Sequence, residues 1–282
     1  MEEKLSVLAF SLLIWIGSFT AGLVGSLTGL GGGIIIVPLL TSVFGVDIRY
    51  AIGASLVSVI ATSLGSASTY IKKGFTNIRL GMFLEVATTT GAIIGALMAT
   101  FISVKFLTII LAFVLIYSAY LSQSPKSEYQ EVATPDTLAE YLELNGTYPI
   151  GDGVIPYYVN CLPAGFSIML LAGILSGLLG IGSGAFKVLA MDQLMRLPFK
   201  VSTTTGNFMI GVTAATSAGV YLSRGYIDPG LSMPVMLGVL PGAFLGARIL
   251  IGAKTQTLRI IFSIILVVMA LKMVYNGLTG GV

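Results

Sequence analysis

The chain has 282 residues, 55% of them hydrophobic and 10% charged, with a formal net charge of +3. A soluble domain of that length would need a polar water-facing surface that this composition does not supply, so a soluble globular protein is excluded. There is no histidine, which removes the commonest metal ligand and proton relay near neutral pH, and the lone Cys161 excludes an intrachain disulfide and a CxxC redox pair.

Apolar runs occupy 5–28, 50–71, 80–102, 106–121, 164–180, 201–222, 232–252 and 256–276. Several reach the roughly 20 residues that cross a bilayer core. Backbone groups in lipid must bond internally, so these runs predict helices, and the fold class is an all-α polytopic membrane protein. The first run follows Glu2, Glu3 and Lys4 rather than a basic stretch, and no clear small-residue cleavage site ends it. It reads as the first helix of the bundle, not as a cleaved signal. It runs into a glycine-rich break at 29–33, a short helix over 34–45, and three longer helices over 50–71, 80–102 and 106–121. After a polar segment the plan recurs: 164–180, a break, a short helix over 185–197, then 201–222, 232–252 and 256–276.

The recurrence is a repeat at an offset of 151 residues. GLVGSLTGLGGGIIIVPLL from Gly22 aligns without gaps on GILSGLLGIGSGAFKVLAM from Gly173, placing Gly29, Gly31 and Gly33 on Gly180, Gly182 and Gly184. Thr62, Ser66, Tyr70, Gly74 and Leu80 fall on Thr213, Ser217, Tyr221, Gly225 and Leu231. Gly91, Ala92, Gly95 and Ala96 fall on Gly242, Ala243, Gly246 and Ala247. Such a duplication, with an interrupted helix at the same place in each half, points to a transporter's central site. The predicted organisation is therefore a first transmembrane repeat over 1–121, a polar connecting insertion over 122–163 and a second repeat over 164–282.

The insertion carries six acids and one base, Lys126, which leaves 14 bases and six acids for the rest of the chain. Thr134-Pro135-Asp136 reads as a helix start and Asn145-Gly146 as its end, predicting a short amphipathic helix with Leu138, Tyr141 and Leu142 on one face. The segment is either an ordered connecting loop or a regulatory lid. Each half crosses the bilayer an odd number of times, because three crossings follow the broken pair. A direct repeat with odd crossings is inverted in the membrane. Lys and Arg near short loops divide seven against five, leaning toward a loop 72–79 on the inside.

The candidate chemistry lies at the breaks. Short helices of 12–13 residues span about half a membrane at 1.5 Å per residue, so each break sits near mid-membrane. Gly31, Gly32 and Gly33 in the first copy, and Gly182, Ser183 and Gly184 in the second, free the backbone for close approach and precede a helix N-terminus, where anions bind. The same glycines would also serve for close helix packing alone. Lys187, where the first copy has Ile36, is a charge at a depth where it costs about 2.5–3.5 kcal/mol unless paired or hydrated. It either attracts an anion or forms a structural ion pair with Asp192 or Glu85. Glu85 is the candidate for carrying a coupled proton; its alternative is a structural hydrogen bond. Ser55 and Thr205 supply hydroxyl donors at the start of the following helices, or cap them. Asn207 is a bare amide within a membrane helix and needs a partner. Gly91–Gly95 and Gly242–Gly246 are small-xxx-small spacings that predict close helix contacts.

Enzyme signals are missing: no HExxH, nucleophile elbow, P-loop, paired catalytic carboxylates or Cys/His cluster. The bases are spread over loop ends, which argues against nucleic acid. Neither a metal nor a cofactor is expected.

At GLGGGIIIVPLL (29–40), AIGASL (51–56), GIGSGAFKVLAM (180–191), KVSTTTGNFMIGVTAA (200–215) and GYIDP (225–229), the chain resembles the sulfite exporter (TauE/SafE) family of membrane transporters. The resemblance covers both halves and leaves out mainly 122–163. It implies passage of small sulfur-containing anions (sulfite, thiosulfate or organosulfonates) across a prokaryotic cytoplasmic membrane. Ser183 and Gly206 stand where Gly and Ser are expected. Leu189 replaces an expected proline, which would leave the second short helix straighter. The combined reading is a secondary transporter of small oxyanions, working by rocking of inverted halves around a site at the two breaks, with Glu85 as the candidate for a coupled proton and the coupling ion left open. A passive anion channel and a membrane sensor or scaffold built on the acidic insertion are the other classes considered.

Overall fold

The computed structural model describes residues 7–28, 31–99, 101–123, 136–150, 153–182 and 184–252, together with 260, 264, 267, 268, 270, 271 and 275. Helix accounts for 79% of the structure. In the first half, α1 (Val7–Thr28) leads to the first break, then α2 (Gly33–Pro38), α3 (Ile48–Lys72), α4 (Ile78–Met98) and α5 (Val104–Gln123) follow. A small α6 (Thr137–Tyr141) and a hairpin of β1 (Gly146–Ile150) and β2 (Gly153–Tyr157) connect to the second half. There α7 (Leu162–Leu179), α8 (Gly184–Leu189), α9 (Phe199–Ser223) and α10 (Pro229–Gly252) repeat the order. The predicted helix over 256–276 lies mostly outside the described residues; those described within it are helical. Among the described residues, α1, α3, α4, α7 and α10 are long and apolar enough to cross a membrane. Helix α9 matches α3 in length, at 25 residues, and buries Ser202, Thr203, Thr204, Thr205 and Asn207 within the bundle.

The 151-residue register is kept by the backbone. Each short helix widens into one π-helical turn, Leu39–Val43 after α2 and Ala190–Leu194 after α8. Both copies make the same change of winding, one with Pro38 and one without a proline, so the proline is not its cause. Gly74 and Gly225 both take φ +73, and the left-handed Gly45 (φ +66) has Arg196 (φ +56) as its counterpart.

The most extensive helix contacts join the halves crosswise: α1 packs on α10, and α7 packs on α4. Glycine allows both. A side chain at Gly91 or Gly95 would strike the carbonyl oxygens of Leu170 and Ile174 on α7, and one at Gly242 or Gly246 would strike those of Phe19 and Leu23 on α1. Phe19 and Leu23 stand 151 residues before Leu170 and Ile174, so one interface is built twice. Helix α3 then packs on α10 and α9, and α9 on α4. Two groups result, α1–α2–α3–α10 and α7–α8–α9–α4, meeting along α3 and α9. Each draws helices from both halves of the sequence.

The connecting segment corrects the sequence reading in two ways. The helix ends at Tyr141, and its buried residue is Ala139, while Leu138 and Tyr141 are exposed. The hairpin β1–β2 follows, paired antiparallel from Gly146↔Tyr157 to Ile150↔Gly153. This small domain is seated on the α3–α4 loop. Asn77 donates to the Leu144 carbonyl at 2.8 Å and to the Tyr157 hydroxyl at 3.0 Å, and Arg79 pairs with Glu143. Asp136 caps α6 and also accepts from the Leu162 amide, tying the start of α7 to it.

Candidate functional site

Gly31 (φ +78) and Gly182 (φ +71) carry the turns at the two breaks, in a left-handed conformation that only glycine adopts at low cost. The helices that end at the breaks are held by matching tyrosines. Tyr70 of α3 donates to the Ser26 carbonyl at 3.0 Å, and Tyr221 of α9 donates to the Gly177 and Leu178 carbonyls at 3.2 and 3.3 Å. These carbonyls belong to the last turns of α1 and α7, where the intrahelical ladder runs out and buried acceptors need donors. Asn207 of α9 adds a second donor to Ser26, 3.4 Å away. That is the partner its buried amide required.

The breaks meet. A side chain added at Gly31 would lie 3.5 Å from Ile210 and 3.9 Å from Val59; one at Gly182 would lie 2.7 and 3.0 Å from the same two residues. Val59 and Ile210 are 151 residues apart and fill the space between the breaks. The Ser55 hydroxyl joins the two breaks directly: it is 2.6 Å from the Gly180 carbonyl and 3.2 Å from that of Gly33. Gly32 packs beside Thr62, and Gly33 and Gly184 are buried. Ser183 lies outside the described residues. Thr205 is elsewhere, with its hydroxyl accepting from the Asn77 amide at 3.0 Å. That puts it at the end of α9 beneath the hairpin, eight residues and about 12 Å of helix rise from Thr213.

Beside the second break is a charged network within the bundle. Lys187 of α8 is fully buried, and of the two acids considered as its partner, Glu85 of α4 lies 3.7 Å away through Oε2. Thr213, near the middle of α9, sits between them. Lys187 Nζ donates to its hydroxyl, which in turn donates to Glu85 Oε1 at 2.6 Å. Thr89 donates to the same carboxylate oxygen at 3.2 Å. Among the described residues, Glu85 Oε2 has the Lys187 ammonium at 3.7 Å and no hydrogen-bond donor nearer.

Sequence reasoning did not assign Thr213, Thr89, Tyr70, Tyr221, Val59 or Ile210 to the site. The identities Thr62/Thr213 and Tyr70/Tyr221 were visible in the repeat and were the available signal. Val59/Ile210 differ, and Thr89 has Leu240 as its counterpart, so neither stands out.

The family model described as sulfite exporter TauE/SafE matches residues 14–273. A relative from Bacillus subtilis, the probable membrane transporter protein YunE, is 31% identical over 96% of this chain and 99% of its own length. Another from the same organism, the probable membrane transporter protein YdhB, is 26% identical over 84% of this chain and 89% of its own. The probable membrane transporter protein MJ0441 of Methanocaldococcus jannaschii is 26% identical over 95% and 96%. No solved structure matches the chain. With five membrane-length helices and a family match over nearly its whole length, the chain is a multi-pass membrane protein of the transport class and belongs to the sulfite exporter TauE/SafE family.

Proposed function

We propose that the protein is a secondary transporter that moves a small sulfur-containing oxyanion, such as sulfite, thiosulfate or an organosulfonate, across a prokaryotic cytoplasmic membrane. The observation that carries this reading is the meeting of the two breaks across Val59 and Ile210, with Ser55 bridging their carbonyls. Gly31, Gly32, Gly33, Gly182 and Gly184 supply amides close to the anion's path, and Ser183 belongs to the same break by sequence. Ser55 adds a hydroxyl, and Lys187 compensates the charge. Asn207 shapes the end of α1 next to the first break, and Thr205 acts from the loop end of α9. Glu85 carries the coupled proton.

In this proposal the repeats are inverted, which the doubled α1–α10 and α7–α4 interface supports. The rocking bodies are then the groups α1–α2–α3–α10 and α7–α8–α9–α4, not the two halves of the sequence. Their contact along α3 and α9 is where Val59 and Ile210 must part to open the path.

Thermal-shift binding of purified protein tests the substrate class with sulfite, thiosulfate, sulfoacetate, taurine and sulfate, each repeated with Lys187→Ala. At least one sulfur anion is expected to stabilise the wild type and to stabilise the variant less. If none stabilises the wild type, the substrate class is wrong; if the variant responds equally, Lys187 has no part in binding.

A further inference from the structure

The charged network exists in one of the two crosswise groups only, α7–α8–α9–α4. Lys187, Thr213 and Glu85 have Ile36, Thr62 and Met236 as their counterparts. Ile36 is fully buried, and Met236 packs against the same apolar core. The fold therefore fills these positions once with apolar side chains and once with an ion pair. An ion pair in such a place is commonly no more stabilising than apolar residues of similar volume, so the scaffold does not account for it.

Its bonding is also asymmetric. Glu85 Oε1 receives both hydroxyl donors, whereas Oε2 receives none and rests 3.7 Å from the ammonium. The ammonium, with three N–H donors, is held by Thr213 and this long contact. Among the described residues, the helices packed on the pair bring few other titratable groups to it. Helix α7 has no titratable side chain, and α9 has none between Lys200 and Tyr221. On α4 itself the other charge is Arg79 at the loop end, and α5 carries the exposed Lys105 and Tyr120 together with Tyr117, which stacks on Phe186. Asp192 stands five residues beyond Lys187 on the π-helical turn.

We propose that this pair couples anion movement to proton movement by substitution: the substrate anion replaces Glu85 on the Lys187 ammonium, and Glu85 leaves by taking up one proton. The proposal rests on the transporter reading above. A proton from the open aqueous side forms an O–H bond at the Glu85 carboxylate, which becomes neutral and stays hydrogen-bonded to Thr213 and Thr89. The freed N–H groups of Lys187 donate to the oxygens of the anion. On release the proton leaves Glu85, and the carboxylate returns to the ammonium. In both states the buried ammonium faces one anion, so the lysine never stands unpaired in the membrane interior, which is the costly condition there. A monoanion thus crosses together with one proton and moves no net charge, whereas a dianion carries one negative charge across.

The test uses purified protein in liposomes that enclose a pH-reporting dye, supplied with radiolabelled methanesulfonate, sulfite or thiosulfate. Anion uptake, internal pH and membrane potential are recorded together. Wild-type uptake should acidify the interior and rise with an inward proton gradient; methanesulfonate should leave the potential unchanged, and thiosulfate should drive it negative inside. Glu85→Gln should lose the acidification and the response to the gradient. Lys187→Ile combined with Glu85→Met copies Ile36 and Met236 of the other group; it should melt no lower than the wild type and yet lose uptake. Acidification retained by Glu85→Gln, or uptake retained by the double variant, overturns the proposal. Wild-type uptake without acidification overturns it as well and leaves the transporter reading standing. A wild type that takes up none of the three anions removes the transporter reading and the coupling with it.

Discussion

The hydroxyl of Ser55 lies 2.6 Å from the carbonyl of Gly180, which ties α3 of the first half to the break of the second across 125 residues of chain. Gly180 is itself left-handed (φ +63) and ends α7, so its carbonyl has no helical partner to fall back on. Removing the hydroxyl leaves a buried acceptor unsatisfied. Ser55→Ala is expected to cost about 1–3 kcal/mol, seen as a lower melting temperature in detergent, and to weaken stabilisation by the sulfur anion that binds. A variant that melts like the wild type would show that the breaks are held together by packing alone.

The two tyrosines predict an inequality. Ser26 keeps Asn207 as a donor when Tyr70 is changed, but Tyr221 is the recorded side-chain donor to both Gly177 and Leu178. Tyr70→Phe should therefore cost about 0.5–1.5 kcal/mol, and Tyr221→Phe about 1–3 kcal/mol. Denaturant unfolding followed by tryptophan fluorescence ranks them; the reverse order would contradict the proposed capping of α1 and α7.

The two left-handed glycines should also differ. Alanine at either Gly31 or Gly182 takes on a backbone strain of about 1–2 kcal/mol. At Gly31 the new methyl group meets Ile210 at an ordinary 3.5 Å, whereas at Gly182 it meets Ile210 at 2.7 Å and Val59 at 3.0 Å. Gly182→Ala should lose about a further 1–3 kcal/mol through overpacking. Adding Ile210→Ala should recover part of that loss, but recover nothing from Gly31→Ala. Equal rescue of both would mean that Ile210 does not sit asymmetrically between the breaks.

The hairpin carries a pH signature. Burial pushes the Tyr157 hydroxyl up to about 12, against the smaller opposing effect of the hydrogen bond from Asn77. A folded pKa above the unfolded value of about 10 means that the folded state favours the protonated phenol. Its contribution is fully present below pH 10 and is lost as the pH rises toward 12. The protection of amides across 144–157, corrected for intrinsic base-catalysed exchange, should fall over that window, and Tyr157→Phe should flatten the change. Loss of protection beginning well below pH 10 would point to another group.

Much of this architecture was readable from one offset. Because Gly31 and Gly182, Tyr70 and Tyr221, and Gly91 and Gly242 stand in register, the breaks, the short helices and the close helix contacts could be placed from the sequence. What could not be read was which helix of one half packs on which of the other. The Glu85–Thr213–Lys187 network depends on α4, α9 and α8 converging, and periodicity within one helix carries no information about its neighbour. The hairpin was missed for a local reason: Pro149 and Pro156 interrupt both strands, and proline argues against a strand unless it lies at an edge. A two-stranded hairpin consists of edges only, and Ile150-Gly151-Asp152-Gly153 was the turn signal that could have revealed it. Asn207 was recognised as needing a partner, but only the fold could name the Ser26 carbonyl.

The central claim is that one site at the meeting of the breaks is exposed to each side of the membrane in turn. Counterflow tests it most directly. Liposomes containing the purified protein are loaded with a high concentration of unlabelled sulfite and diluted into a trace of labelled sulfite, with the membrane potential clamped at zero by an ionophore. An alternating-access carrier should transiently accumulate the label above its external concentration and then release it, and Lys187→Ala should abolish the overshoot. Label that rises monotonically to equilibrium through the wild-type protein, with no overshoot, would contradict the account and identify a passive anion channel.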